Sequence, residues 1–236
     1  MNHAYTLYYW AIPFRGNFIR TLLSYAQISY KEASIPEIVA IRKLLPNDQP
    51  YPCMAPPFLQ DHEDDVFLSQ TVAIVHYLAH KLNVLPTSTL KSTLALKTML
   101  DANDVLSELT QGTKGGPWKP DEFKSFIHGR FLKWLAIFEQ TGLRHGLSDN
   151  DGYYLDTPNP TLADFVIFTL WGTMKRCLPE LSPILYAHAP RVLALCDRME
   201  ELPSMKALIK KQEELYGNRY CSGGMEASIR AALAQF

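Results

Sequence analysis

The sequence predicts a mixed α/β unit followed by an all-helical one. Two textures predict it: up to about residue 82, aromatic β-compatible runs alternate with helical periodicity, and beyond that helical periodicity governs alone. The stretch Asn83-Val84-Leu85-Pro86 separates them. The boundaries read as 1–82 and 90–236, with 83–89 as a linker.

Residues 4–10 are rich in Tyr and in β-compatible types and read as a strand. Residues 14–26 carry Phe18, Ile19, Leu22, Leu23 and Tyr25 at near-helical spacing. A second strand is expected over 29–35 and a short helix over 37–45. Asn47-Asp48-Gln49-Pro50 is dense in turn formers. Phe58-Leu59-Gln60-Asp61 and Val66-Phe67-Leu68 bracket an acidic turn and predict a hairpin. A helix over 70–82 buries Val72, Ile74, Val75, Tyr77 and Leu78. This order has thioredoxin-like proportions. Further on, Gly115-Gly116-Pro117, Thr157-Pro158-Asn159-Pro160 and Ala189-Pro190 punctuate helices. Thr161-Leu162-Ala163-Asp164 precedes an apolar run and reads as a structural capping box. Thr161 caps the free amides of the first turn, and Asp164 reaches back.

With 236 residues, the chain is long enough for one or two domains. Its composition, 47% hydrophobic and 20% charged, is that of a globular protein, and a net charge of −1 carries no nucleic-acid or membrane footprint. No run approaches the ~18 apolar residues of a membrane span, and no signal-peptide core opens the chain. Cys53, Cys177, Cys196 and Cys221 form no C-x-x-C pair, which argues against a structural zinc site and suits a reducing, cytoplasmic setting.

Four features then stand in order: Tyr9 six residues ahead of Arg15, the Pro57-Phe58-Leu59 turn, Gln70-Thr71 opening a helix, and the Thr161/Asp164 box. Together they resemble the cytosolic glutathione S-transferases of tyrosine type, with Leu7-Tyr8-Tyr9-Trp10 and Pro13-Phe14-Arg15-Gly16 suggesting a bacterial branch. The resemblance covers most of the chain. It implies a thioredoxin-like N-terminal domain, an all-helical C-terminal domain, glutathione as co-substrate without a metal, a small apolar electrophile, a homodimer and a role in detoxification.

Where thioredoxins carry a dithiol the chain has Ala11-Ile12-Pro13-Phe14, so disulfide exchange by that route is ruled out. Neither Ser nor Cys occurs in 11–17, which leaves a tyrosine to activate a thiol. A phenol donating to the sulfur favours the thiolate; a shift of ~2 pKa units corresponds to roughly 2.7 kcal/mol. Tyr9 is the expected donor, with Tyr8 on the other side of the strand; the alternative is an aromatic packed at the domain interface. Arg15 either places positive charge near the sulfur or forms an interdomain salt bridge, and Arg20 reads as structural.

At a helix start, Gln70 and Thr71 make a cradle for a carboxylate, by resemblance the γ-glutamyl end of glutathione. Plain capping by Ser69 or Thr71 uses the same geometry. Pro57 matches the family's cis-proline. The preceding residue, which lends both N–H and C=O to the ligand in the family, is here Pro56 and has no N–H. The resemblance offers Lys43 and Arg42 for the glycyl carboxylate, and Asp104, within one subunit or across a dimer, for the ligand's amino group. Trp10, Ile12, Phe14, Gln111 and Trp118 either line an apolar electrophile pocket or pack the core. Tyr51, before Pro52, resembles the aromatic that some transferases insert into a partner subunit. The tail 216–224 is expected to wrap the surface rather than cover the pocket. Conjugation is the leading activity. Glutathione-dependent reduction or isomerisation, or a catalytically silent scaffold favoured by Pro56, are the alternatives.

Overall fold

The opening strand is the sheet's spine because both of its edges are paired. In the computed structural model, which describes residues 3–112 and 115–235, β1 (Tyr5–Tyr8) pairs in parallel with β2 (Tyr30–Glu32) and antiparallel with β3 (Phe58–Asp61). β4 (Val66–Ser69) closes the hairpin with β3, giving the order β2-β1-β3-β4. α1 (Gly16–Tyr25) and α3 (Thr71–Lys81) pack on one another, and α2 (Ile35–Lys43) follows β2. This is a thioredoxin-like sheet unit, and a helical domain follows it.

Two element starts differ from the sequence reading. α1 begins at Gly16, later than residue 14, because Phe14 is left-handed (φ 31). In addition, the carbonyls of Trp10, Ile12 and Pro13 are drawn to the Arg20 guanidinium. α2 begins at Ile35 rather than 37: the Glu37 amide donates to the Ser34 hydroxyl and the Glu37 carboxylate accepts from the Ser34 amide, with Pro36 in the first turn.

The helical domain runs through α4 (Thr89–Leu109), α5 (Pro120–Phe126), α6 (Leu132–Arg144), α7 (Leu162–Ile167) and α8 (Thr173–Cys177). It continues with α9 (Ser182–His188), α10 (Pro190–Glu200), α11 (Pro203–Tyr216) and α12 (Gly223–Leu233). Wider π turns join α5 to α6 and α7 to α8. α7 is buried throughout and packs on α4. Its capping box is complete: the Asp164 carboxylate accepts from the Thr161 amide (2.8 Å), the Thr161 hydroxyl (3.0 Å) and the Tyr154 amide (2.7 Å).

α1 is the seam between the sheet and the helices, packing against α11 and α7. Its buried face is polar at defined points. Asn17 donates to the Thr173 hydroxyl (2.9 Å) and accepts from the Gln212 amide, and the Thr169 hydroxyl donates to Thr21 (2.9 Å).

Candidate functional site

Strand register assembles the site. Tyr8 on β1 pairs with Phe58 on β3, which pairs with Ser69 on β4, so these three form one row across the sheet. One residue beyond that row lie Tyr9, Pro57 and Gln70, all at the same end. α3 starts directly after β4, α1 follows β1 after a short turn, and Ala33, at the start of the turn into α2, donates its amide to Leu7 of β1 (2.8 Å). Three helix N-termini, each with a partial positive charge, therefore lie at this end, that of α2 capped by the Ser34 hydroxyl and that of α3 without a side-chain cap.

The Pro56–Pro57 peptide is cis, and half-buried Pro56 presents only a carbonyl. The residue capping α3 is Gln70, in a left-handed conformation (φ 71, ψ 115) and without a side-chain capping bond, so capping by Ser69 or Thr71 is not what starts this helix. Gln70 is exposed and Thr71 is buried.

Tyr9 is only 5% exposed. Its ring lies on the first residue of α1: a Cβ on Gly16 would stand 2.3 Å from Tyr9 Cδ1. Burial pushes the phenol up to about 12, while the Arg15 charge, the Arg15 amide and Arg20 pull the other way. At neutral pH Tyr9 is thus a protonated donor. Tyr8 belongs to the opposite face, donating to Gln60 (3.2 Å) beside the Phe67 ring. Gly16→Ala should therefore destabilise the protein by about 1–3 kcal/mol, because overpacking against Tyr9 outweighs the gain in helix propensity. Thermal denaturation should show a lower Tm, whereas Ala for Gly in a helix ordinarily raises it.

Arg15 reaches into the helical domain, donating to the hydroxyl of Ser107 (3.0 Å) and to Asn103 Oδ1 (3.5 Å), with its guanidinium 4.7 Å from the Phe14 ring centroid. The interdomain contact is a pair of hydrogen bonds to neutral groups, not a salt bridge, which leaves the Arg15 charge free to act on Tyr9. Sequence reasoning missed Asn103 and Ser107. Their signal is two polar residues spaced i, i+4 beside the buried positions Ala102, Val105 and Leu106. Arg20 is structural: 1% exposed, it holds Glu32 by two bonds (2.7 and 3.1 Å) and spends its remaining donors on carbonyls.

Ile12 and Phe14 are buried in this turn, and half-buried Trp10 lies under the Arg42 guanidinium (5.7 Å). Lys43 is exposed in the last turn of α2, and Asp104 is exposed on α4. Gln111 is exposed just past α4. Trp118 is an interior residue, its indole donating to Leu109 (2.7 Å) and its ring stacked on Phe126 (5.1 Å). The tail does not merely wrap the surface: Tyr220 is 1% exposed and meets the Phe14 ring edge-on at 5.7 Å.

A family model described as "Glutathione S-transferase, C-terminal domain" matches residues 94–232, and the chain belongs to the cytosolic glutathione S-transferase family. It is similar to a glutathione S-transferase of Plasmodium falciparum (isolate 3D7), with 25% identity over 215 residues, 88% of this chain and 96% of that protein. Among solved structures it shares its fold with the Pi-class glutathione S-transferase of Onchocerca volvulus (TM-score 0.72, 20% identity, 89% of this chain and 94% of that one). A Nu-class enzyme from Haemonchus contortus has the same fold (TM-score 0.66, 24% identity, 88% and 96% covered).

Proposed function

We propose that this chain is a glutathione transferase that binds glutathione at the Tyr9 end of the sheet and joins its sulfur to an apolar electrophile. The observation that carries this reading is the register that lines up Tyr9, Pro57 and Gln70 beyond one row of paired residues. The free amides of α3, with Gln70 and Thr71, suit the γ-glutamyl carboxylate. Pro56 offers its carbonyl to the cysteinyl N–H but returns no donor. On the α2 side, Arg42 and Lys43 supply positive charge for the glycyl carboxylate. Asp104, exposed on α4, takes the amino group only if a second copy brings the ligand to it.

The Tyr9 hydroxyl donates to the thiolate and, with its pKa raised to about 12, keeps its proton throughout the range in which the thiol ionises. Arg15 adds positive charge from the same helix start. Ile12 and Phe14 form the apolar wall beside the sulfur, with Trp10 at its edge. Tyr51 (61% exposed) and Met54 (86% exposed) lie on the loop before Pro56 and supply the contact for a homodimer. A cytoplasmic enzyme of detoxification fits this chemistry.

Tyr9→Phe tests the mechanism. Loss of one hydrogen bond to a charged sulfur, about 1.5–3 kcal/mol, lowers kcat/KM for conjugation by roughly 10–150-fold. Equal rates would remove Tyr9 from catalysis. A second reading, a binding scaffold without turnover, is favoured by the missing Pro56 donor and by the depth of Tyr9. Calorimetry discriminates: no heat at millimolar glutathione would put the scaffold ahead. Reduction or isomerisation would use the same thiolate and is separated from conjugation by product analysis.

A further inference from the structure

α3 carries two histidines four residues apart, His76 and His80. Side chains at i and i+4 stand one above the other on a helix, so the two imidazoles can reach the same point in solvent. Their ring centroids are 4.7 Å apart and the ring planes meet at 80°. Two imidazoles on one ion, with metal–nitrogen bonds of ~2.0–2.1 Å and an angle between square-planar and tetrahedral, hold their centroids roughly 4.5–5.2 Å apart. The pair thus already has the spacing of a chelate. Turning the rings about their side-chain bonds is all that is needed to aim the nitrogens.

Neither imidazole is engaged elsewhere. His3 and His62 each share a ring nitrogen with a hydroxyl, that of Ser29 and that of Thr6, both at 2.8 Å. No hydrogen bond or ion pair within the described residues involves His76 or His80. His76 is half-buried and His80 exposed, so the pair is backed by the helix and open to an ion arriving from water. His80 also lines a cavity of about 460 Å³ between the end of α3 and the start of α4, together with Asn83, Thr89, Ser92 and Thr93. That cavity has room, and polar side chains, for waters that complete a metal's shell. Among the described residues no third His, Cys, Asp or Glu joins the two histidines.

We propose that His76 and His80 chelate a divalent transition-metal ion of the zinc, nickel and copper class, with water in the remaining positions. Two imidazoles without a carboxylate select such ions over calcium and magnesium, which take oxygen ligands. Positions left to water make the ion exchangeable, unlike one in a closed structural centre. Binding ties together successive turns of α3, the helix that opens with Gln70 and Thr71. The site lies roughly 9–15 Å along the helix from Gln70, apart from the thiol chemistry proposed at Tyr9, and its test needs no glutathione.

Zinc chloride titrated into the full chain at pH 7.5, where imidazoles are mostly neutral, is expected to show one site per chain by calorimetry. His76→Gln and His80→Gln each end chelation and should weaken that binding at least tenfold. Both side chains reach solvent, so the metal-free variants are expected to keep the wild-type Tm. His188→Gln, which removes an exposed histidine elsewhere, should leave zinc affinity unchanged. Zinc at about ten times its Kd should raise Tm by roughly 3–5 °C in the wild type, and by less than about 1 °C in the two α3 variants at the same concentration. No heat at 1 mM zinc, an affinity that His76→Gln and His80→Gln leave within twofold, or an equal loss in His188→Gln would overturn the site. Calcium chloride should give no heat, and calcium binding as tight as zinc would overturn the choice of metal class.

Discussion

Replacing Arg20 with methionine is expected to lower the free energy of unfolding by roughly 3 kcal/mol and to loosen the turn that follows Tyr9. The guanidinium is 1% exposed and does two jobs: it forms a two-pronged ion pair with Glu32 on β2, and it gathers carbonyls of Trp10, Ile12 and Pro13. Methionine fills the volume but leaves the Ile12 carbonyl without its donor, the Trp10 and Pro13 carbonyls with only the backbone amides of Ile12 and Asn17, and Glu32 without its partner. Lysine would not rescue the site, because one ammonium cannot reproduce a planar fork shared between a carboxylate and several carbonyls. Urea denaturation measures the loss. A change below about 1 kcal/mol, the range of an exposed ion pair, would show that the network is not what orders the turn.

Asp164→Ala is expected to cost about 2–4 kcal/mol, more than an ordinary cap. Its carboxylate is fully buried and serves the Thr161 amide and hydroxyl, starting α7, and also the Tyr154 amide. Alanine strands these donors in the interior, beneath a helix that is buried on every side. Asp164→Asn, keeping one acceptor oxygen, should fall between the wild type and Ala. Equal stability of all three by denaturant titration would contradict the assignment of this box as the support of α7.

Much of this architecture was legible because period and punctuation agree with it. Two short apolar runs around an acidic turn gave the hairpin, and Thr161 and the Gly and Pro breaks punctuated the helical half. Thr161 with Asp164 announced a capping box that exists in full. What could not be read depends on distant partners. Nothing near Arg15 in sequence says that it will bond to Asn103 and Ser107, some ninety positions away. Tyr220 reads as one aromatic in a glycine-rich tail, and only the fold brings it onto Phe14. Gly16 carried a local clue, since a glycine opening a helix just after an aromatic strand signals a close approach of ring and backbone. Element starts shifted by about two residues where side chains competed for the backbone, as Arg20 does before α1 and Ser34 does before α2.

The polar points on the buried face of α1 bear on how the two halves meet. Apolar surfaces slide over one another at little penalty, but Asn17 with Thr173 and Gln212, and Thr21 with Thr169, match only at one offset and one rotation. A slip by a single helical turn would leave every one of these groups dry and unsatisfied. The seam thus behaves as a keyed joint rather than a greased one: it fixes the angle at which Arg15 crosses to α4, so the placement of the Tyr9 end of the sheet against the helices is inherited from a few amide and hydroxyl groups.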